Sequence, residues 1–290
     1  MRNENKDEKT RVDIVSFRLN KTKVARRSQM KQAVLYVGHG SRVKEAQDKA
    51  ISFMKSCMPL VEADIQEICF LELTDPSIEE GFETCVQKGA THIAIVPLLL
   101  LTAMHAKSDI PDEIVKVQKR FPQVKVTYGR PIGVNQEVTK AVIARIEEAG
   151  YKGERAKILL IGRGSSDPDV KRDVFGIADD VLSMLPCAEV FPCFITACEP
   201  NYRDVLAQLT VDDDTPVYLV PYLLFTGILM KEIESEANQA RERLRDVRVC
   251  RYIGFHPHVK AAYIERVQET ILNKEDAFRF QGESHASSSS

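Results

Sequence analysis

The chain has 290 residues, of which 44% are apolar and 28% charged, and its formal net charge is −2. This length and composition predict one or two ordinary globular domains, and the nearly neutral charge gives no global indication of a nucleic-acid or membrane-surface partner. The longest nearly apolar run, Ile93 to Met104, is too short to span a bilayer and contains Pro97, so no transmembrane helix is expected.

Both ends of the chain are polar. Residues 1–29 mix basic and acidic side chains without the apolar core of a secretory signal, and residues 273–290 finish in a serine run. We expect both segments to be disordered; the alternative for the first is a basic segment that contacts a partner. The seven cysteines are scattered and form no Cys-x-x-Cys pair, which favours reduced core residues in a cytoplasmic protein.

Between these ends, apolar runs alternate with helix-like segments. In the first half, strands are predicted at 33–37, 65–71, 92–97 and 124–128, and helices near 43–58, 77–88, 109–120 and 135–149. Short apolar runs separated by helices of this length are typical of βαβ units. The predicted fold class is therefore α/β, with a four-stranded, mainly parallel sheet flanked by helices.

The same order of elements begins again after Gly150. Strands are predicted at 157–161, 188–195, 216–221 and 248–252, and helices near 168–185, 200–209, 230–245 and 258–272. A constant offset of 124 residues aligns the two halves, as in Val96-Pro97 with Val220-Pro221. A repeat of this length indicates a duplicated domain, and we predict two similar Rossmann-like lobes, 30–150 and 151–272.

The stretch from Ala33 to Arg42 is the most informative, because an apolar strand there ends in Gly38-His39-Gly40. Glycine on both sides of the histidine leaves room for a ligand close to the imidazole. His39 is therefore predicted to lie at a functional site.

Comparison of the halves identifies the other candidates. Three pairs of aligned positions differ in reactive residues: His39 is matched by Arg163, Glu72 by Thr196 and His105 by Leu229. Each first-half residue follows a predicted strand end, where open α/β sheets bind their ligands. Two imidazoles and one carboxylate suit a divalent first-row metal ion. Taken singly, each residue also has a structural alternative, such as a histidine that only caps a helix.

Basic residues follow the same strand ends. Four are predicted to bind an anionic substrate in a cleft between the lobes: Arg42, Lys107, Arg130 and Arg163. The alternative for each is an ordinary solvated side chain.

The remaining histidines and the missing motifs narrow the chemistry. His92 is expected to be structural, and a turn is favoured over a second metal site for His256 and His258. The chain has no Walker A loop, no G-x-G-x-x-G after a strand, no G-x-S-x-G and no H-E-x-x-H. Nucleotide and redox chemistry therefore have no support.

Three motifs together resemble the sirohydrochlorin chelatases, and the resemblance covers about 30–272. They are Val-Gly-His-Gly-Ser-Arg at 37–42, Phe-Leu-Glu-Leu-Thr-Asp-Pro-Ser at 70–77 and Val-Pro-Leu-Leu-Leu-Leu-Thr-Ala-Met-His at 96–105. These class II chelatases insert a metal ion into sirohydrochlorin on the way to sirohaem or cobalamin. The resemblance implies that His39 and His105 are paired active-site histidines, that Glu72 is the acidic residue at the metal, and that two lobes face each other across a cleft.

The resemblance also implies the reaction and its rivals. The chain lacks the histidine-rich tail and the cysteine cluster of some cobalt-inserting relatives, which favours Fe²⁺ insertion. Cobalt insertion and a non-catalytic metal carrier stay open as alternatives. A histidine phosphatase is disfavoured, because that class needs Arg where Gly38 stands. We expect a monomer whose partners are sirohydrochlorin and the substrate metal (Fe²⁺, or Co²⁺ or Ni²⁺), with no other cofactor.

Overall fold

The computed structural model describes residues 30–209, 215–225 and 227–273. The segments predicted to be disordered, 1–29 and all of 273–290 except Asn273, lie outside the described residues. In the described ranges, no helix is long and apolar enough to cross a membrane.

Over the described residues, eight strands form two sheets of four. The strands are β1 (Gln32–Gly38), β2 (Ile65–Phe70), β3 (His92–Pro97), β4 (Lys125–Tyr128), β5 (Ala156–Gly162), β6 (Ala188–Phe194), β7 (Val217–Tyr222) and β8 (Val247–Val249). The strand orders are β2-β1-β3-β4 and β6-β5-β7-β8, and every pairing is parallel. The two sheets therefore have the same topology, and the predicted α/β class with duplicated four-stranded sheets is confirmed.

Across the part of the chain that the structure describes, eight α-helices connect and cover the strands. They are α1 (Lys44–Cys57), α2 (Ile78–Gln87), α3 (Ile110–Gln118), α4 (Gln136–Glu148), α5 (Pro168–Met184), α6 (Tyr202–Gln208), α7 (Ile228–Ala240) and α8 (Pro257–Leu272). The predicted helix over 230–245 is too long, since α7 ends at Ala240, and the predicted strand over 248–252 is too long, since β8 ends at Val249. All seven cysteines are free and five are buried, but Cys187 is exposed and Cys198 is partly buried, so the predicted core position is wrong for these two.

The two sheets share one central core. Alternate β1 side chains, such as Val34 and Tyr36, face a cluster that also contains Ile158 and Leu160 of β5. The opposite face of the first sheet packs on α2 and α3, and the opposite face of the second sheet packs on α6 and α7. The space between the sheets is filled by helices α1, α4, α5 and α8, so layers of helices and sheets alternate through the molecule.

Helices α4 and α8, at the ends of the two described halves, each pack on the other half. Helix α4 contacts β7 of the second sheet, whereas α8 contacts β1, β3 and β4 of the first, and the two helices also pack against each other. Arginines fix this exchange: Arg145 of α4 donates to the carbonyls of Tyr252 and Ile253 at 3.1 and 3.2 Å, and Arg266 of α8 donates to the carbonyl of Ile132 at 3.0 Å. The predicted boundary near Gly150 falls between α4 and β5, but neither sheet is covered by helices of its own half alone.

Candidate metal centre

A tight backbone junction holds His39 beside Glu72. Strand β1 ends at Gly38, and Gly40 then has φ +94°. A Cβ on Gly40 would lie 1.7 Å from the carbonyl oxygen of Glu72, so only glycine lets the two segments meet. The Glu72 amide donates to the carbonyl of His39 at 3.2 Å, which completes the junction.

The second half repeats the junction without the reactive side chains. Gly164 has φ +91°, its Cβ would lie 1.8 Å from the carbonyl oxygen of Thr196, and the Thr196 amide donates to the carbonyl of Arg163 at 3.1 Å. The structure therefore superposes His39 on Arg163 and Glu72 on Thr196, as the 124-residue offset predicts. The scaffold is duplicated, whereas the predicted ligands occur in the first half and not at the matching positions of the second.

His105 comes from the third strand end by a short irregular connection. It begins a single π-helical turn, residues 105–109, which is closed by a hydrogen bond from the Ile110 amide to the His105 carbonyl and runs directly into α3. Such π turns are rare and are found frequently at functional sites. The imidazole Nδ1 lies 2.6 Å from the Asp109 carboxylate.

The three predicted ligands lie together. The rings of His39 and His105 have centroids 4.6 Å apart and are tilted by 39°. His39 Nε2 lies 3.6 Å from Glu72 Oε1, and His39 Nδ1 is buried with no hydrogen-bond partner among the described residues. Glu72 and His105 also line a cleft of about 310 Å³, together with Leu71, Asp109, Asp112, Glu113 and Lys116.

The electrostatic environment favours the neutral form of His39. Burial is the main cause that lowers its pKa below the usual value, and the neighbouring His105 and Arg163 lower it further, while Glu72 acts in the opposite direction. A neutral imidazole carries the lone pair that a metal ion or a proton requires. Arg163 thus stands close enough to the site to influence it from the second half of the chain.

The donor set fits a first-row metal ion held loosely. Two ligands with bonds of about 2.1 Å to one tetrahedral ion lie about 3.4 Å apart, close to the 3.6 Å between His39 Nε2 and Glu72 Oε1. Within the described ranges, however, no group of three or more His, Cys, Asp or Glu side chains is arranged to hold an ion as it stands. The complete three-ligand set therefore stays a prediction.

The predicted substrate-binding cations divide into two pairs. Arg42 and Arg163 are exposed at the strand ends. Lys107 lies 2.7 Å from carboxylate oxygens of both Asp167 and Asp169, and Arg130 pairs with Glu269 at 2.9 Å. The last two cations therefore join the first half to α5 and α8, and a substrate carboxylate would have to compete with these ion pairs.

The other histidines have structural contacts. His92 is buried and shares a 3.0 Å hydrogen bond with Thr127. His256 caps α8, and His258 Nδ1 lies 2.6 Å from Glu137. The contacts of His92 agree with its structural interpretation, whereas the predicted turn at 256–258 is wrong, because His256 is the N-cap and Pro257 and His258 begin α8.

Sequence reasoning missed Asp109. Its spacing of four residues from His105, at the start of a helical segment, was the available signal, because residues four apart are neighbours on a helix.

Two α/β sheets of the same topology, with two imidazoles and one carboxylate gathered at the carboxyl edge of the first sheet, define a duplicated α/β protein with a candidate metal site. The CbiX family model matches residues 33–149 and, a second time, 157–270. The chain therefore belongs to the CbiX family, and its resemblance to the sirohydrochlorin chelatases is confirmed.

Individual relatives match over nearly their whole length. The sirohydrochlorin ferrochelatase of Bacillus subtilis (strain 168) is 57% identical over 258 residues, which are 89% of this chain and 99% of the relative. The structure of SirB from Bacillus subtilis with Fe³⁺ superposes with a TM-score of 0.82 at 57% identity, over 84% of this chain and 97% of that one. SirB from Bacillus subtilis subspecies spizizenii in complex with cobalt gives a TM-score of 0.75 at 53% identity, with the same coverage of 84% and 97%.

Proposed function

We propose that this chain is a sirohydrochlorin ferrochelatase, which inserts Fe²⁺ into sirohydrochlorin to give sirohaem and releases two protons. The observation that carries the proposal is the gathering of His39, Glu72 and His105 at one sheet edge of a scaffold whose second copy lacks all three. The Bacillus subtilis relative at 57% identity supports the same reaction.

The residues suit the chemistry of metallation. Two pyrrole N–H protons leave the ring as one divalent ion enters, so charge is balanced without a redox step. His39 and His105 bind the ion through neutral imidazoles, and each becomes a proton acceptor when the ion departs. Glu72 offsets the ionic charge and completes the ligand set. A site with only three protein ligands leaves positions open for the ring nitrogens.

The polycarboxylate ring would bind at the carboxyl edge of the first sheet, because helices and apolar side chains fill the space between the sheets. Arg163 is near enough to His39 to lower its pKa, and Arg42 follows His39 by three residues in the chain. Both arginines are exposed, so both can pair with substrate carboxylates. Lys107 and Arg130 are proposed to bind further substrate carboxylates after their ion pairs with Asp167, Asp169 and Glu269 break. We place the enzyme in the cytoplasm as a monomer, as the sequence predicts.

Iron is the proposed physiological metal, and cobalt is the rival. The relative at 57% identity is a ferrochelatase, and SirB structures have been determined with iron and with cobalt. Anaerobic competition between Fe²⁺, Co²⁺ and Ni²⁺ for sirohydrochlorin, followed by the macrocycle absorbance, separates iron insertion from cobalt insertion. A preference for Co²⁺ at equal free concentrations would contradict iron insertion.

Alanine variants test the site itself. His39→Ala and His105→Ala should each lower the metallation rate at least about 100-fold, since each removes a ligand and a proton acceptor. His258→Ala is the matched control, because it removes a half-buried histidine that is bound to Glu137 away from the proposed site. Wild-type turnover by the two site variants would remove the proposed roles. If the wild-type protein binds the metal ion but does not change the rate at which sirohydrochlorin is metallated, the protein is a metal carrier instead.

A further inference from the structure

We propose that Asp109 is a positioning residue that fixes the tautomer and the ring orientation of His105. This inference rests on the proposed function, because it treats His105 as a metal ligand. The contact that carries it is the 2.6 Å separation of His105 Nδ1 and Asp109 Oδ2, in a pair whose side chains are 40% and 46% exposed.

The acceptor chemistry of the carboxylate selects one tautomer. An ionised carboxylate only accepts hydrogen bonds, so Nδ1 of His105 must carry the proton in this contact. The lone pair of the neutral ring is then on Nε2, which is the atom left to bind a metal ion. Histidine ligands of metals commonly donate their other ring N–H to a carboxylate in this way, and the contact holds the ring in place.

The backbone under His105 is already fixed on two sides. The buried phenol of Tyr128 donates to the carbonyl of Ala106 at 3.0 Å, and Lys107 is held by the carboxylates of Asp167 and Asp169. The main motion still available to His105 is therefore rotation of its imidazole ring about the side-chain bonds. Asp109 is the side chain that restrains this rotation.

The repeat gives independent support. At the 124-residue offset, His105 and Asp109 are matched by Leu229 and Ile233, which pack in the outer apolar cluster of the second half. Lys107, between them in the chain, is matched by Lys231. The scaffold lysine is present in both halves, whereas the histidine and its carboxylate are absent together, as expected for two residues that serve one purpose.

Asp109→Ala tests the proposal, with Asp112→Ala as its control. Asp112 is a second exposed carboxylate at the same cleft, so its removal changes the local charge equally without touching His105. Both variants alter exposed side chains, and far-UV circular dichroism verifies the fold. Two-bond ¹H–¹⁵N correlation spectra at pH 8 report the His105 tautomer, and titration with Co²⁺ alone reports metal affinity.

We expect the Nδ1–H tautomer in the wild-type protein and in Asp112→Ala, and a shift towards the Nε2–H tautomer in Asp109→Ala. Co²⁺ affinity should fall about 10- to 100-fold in Asp109→Ala and less than about 2-fold in the control. Asp109→Asn keeps an accepting oxygen and should restore part of the affinity. In steady-state metallation, kcat should fall while KM for the tetrapyrrole stays unchanged.

An unchanged tautomer in Asp109→Ala, or an equal loss of Co²⁺ affinity in Asp112→Ala, would overturn the proposal. Neither readout requires metallation. If the wild-type protein fails to metallate sirohydrochlorin while Asp109→Ala still shifts the tautomer and the Co²⁺ affinity, the proposed function fails and the role of Asp109 stands.

Discussion

Replacement of Arg145 by Met should lower the free energy of unfolding by about 3 kcal/mol. The Arg145 side chain is 8% exposed and donates to two carbonyls of the segment after β8. A hydrogen bond from a charged group contributes about 1.5–3 kcal/mol, and the lower end of that range is taken for each of the two bonds. The ion pair with Glu148, which is 42% exposed, adds less than about 1 kcal/mol. Methionine keeps the apolar stem, so the loss reports mainly on the two carbonyls.

Urea unfolding followed by far-UV circular dichroism measures the effect, since the chain has no tryptophan for fluorescence. Arg251→Met is the control: its side chain is 73% exposed and lies 3.9 Å from the same Glu148, so the change should be under about 1 kcal/mol. Because the halves share one core, the wild-type protein should unfold in a single transition. A loss for Arg145→Met no larger than that of the control would refute the role assigned to the exchanged helices.

Two further changes test the junctions and the core. Gly40→Ala and Gly164→Ala should each destabilise the fold by about 2–4 kcal/mol, because each new Cβ meets a carbonyl oxygen within 2 Å at a positive φ. Of the two variants, only Gly40→Ala should also weaken Co²⁺ binding. Equal weakening in both variants would contradict a metal site in the first half. Burial, and secondarily the charge of Lys125, lowers the pKa of His92. The unfolded chain therefore takes up this proton first, and stability should fall as the pH drops below about 6.5. His92→Gln should remove that part of the pH dependence between pH 7 and pH 5, and an unaltered slope would contradict the assignment.

Much of the fold follows from the sequence because its signals are local. The predicted bounds of strand β3 agree with the structure to the residue, since a short apolar run between polar segments is typical of a buried strand. The comparison of the halves by offset also identifies His39, Glu72 and His105, which the structure brings together. Because the domain is duplicated, the second half shows which reactive residues the shared fold does not require, and a chain with one copy would not allow this comparison.

Other features depend on contacts that local patterns do not encode. The apolar face of α8 predicts burial but not which sheet buries it, so the helix exchange could not be read from periodicity. The ion pairs of Lys107 and Arg130 join residues 60 and 139 positions apart. Asp109 was missed because an exposed acid at the start of a helix is common and is favourable there without any functional role.

The exchange of α4 and α8 imposes an order on biosynthesis. The ribosome completes all four strands of the first sheet more than a hundred residues before it reaches Pro257, where α8 begins. Until α8 emerges, one apolar face of the nascent sheet is not fully covered and is open to aggregation. A polypeptide released before Pro257 would carry the predicted ligands His39, Glu72 and His105 on a sheet that lacks one of its covering helices, so the complete fold requires the translation of α8.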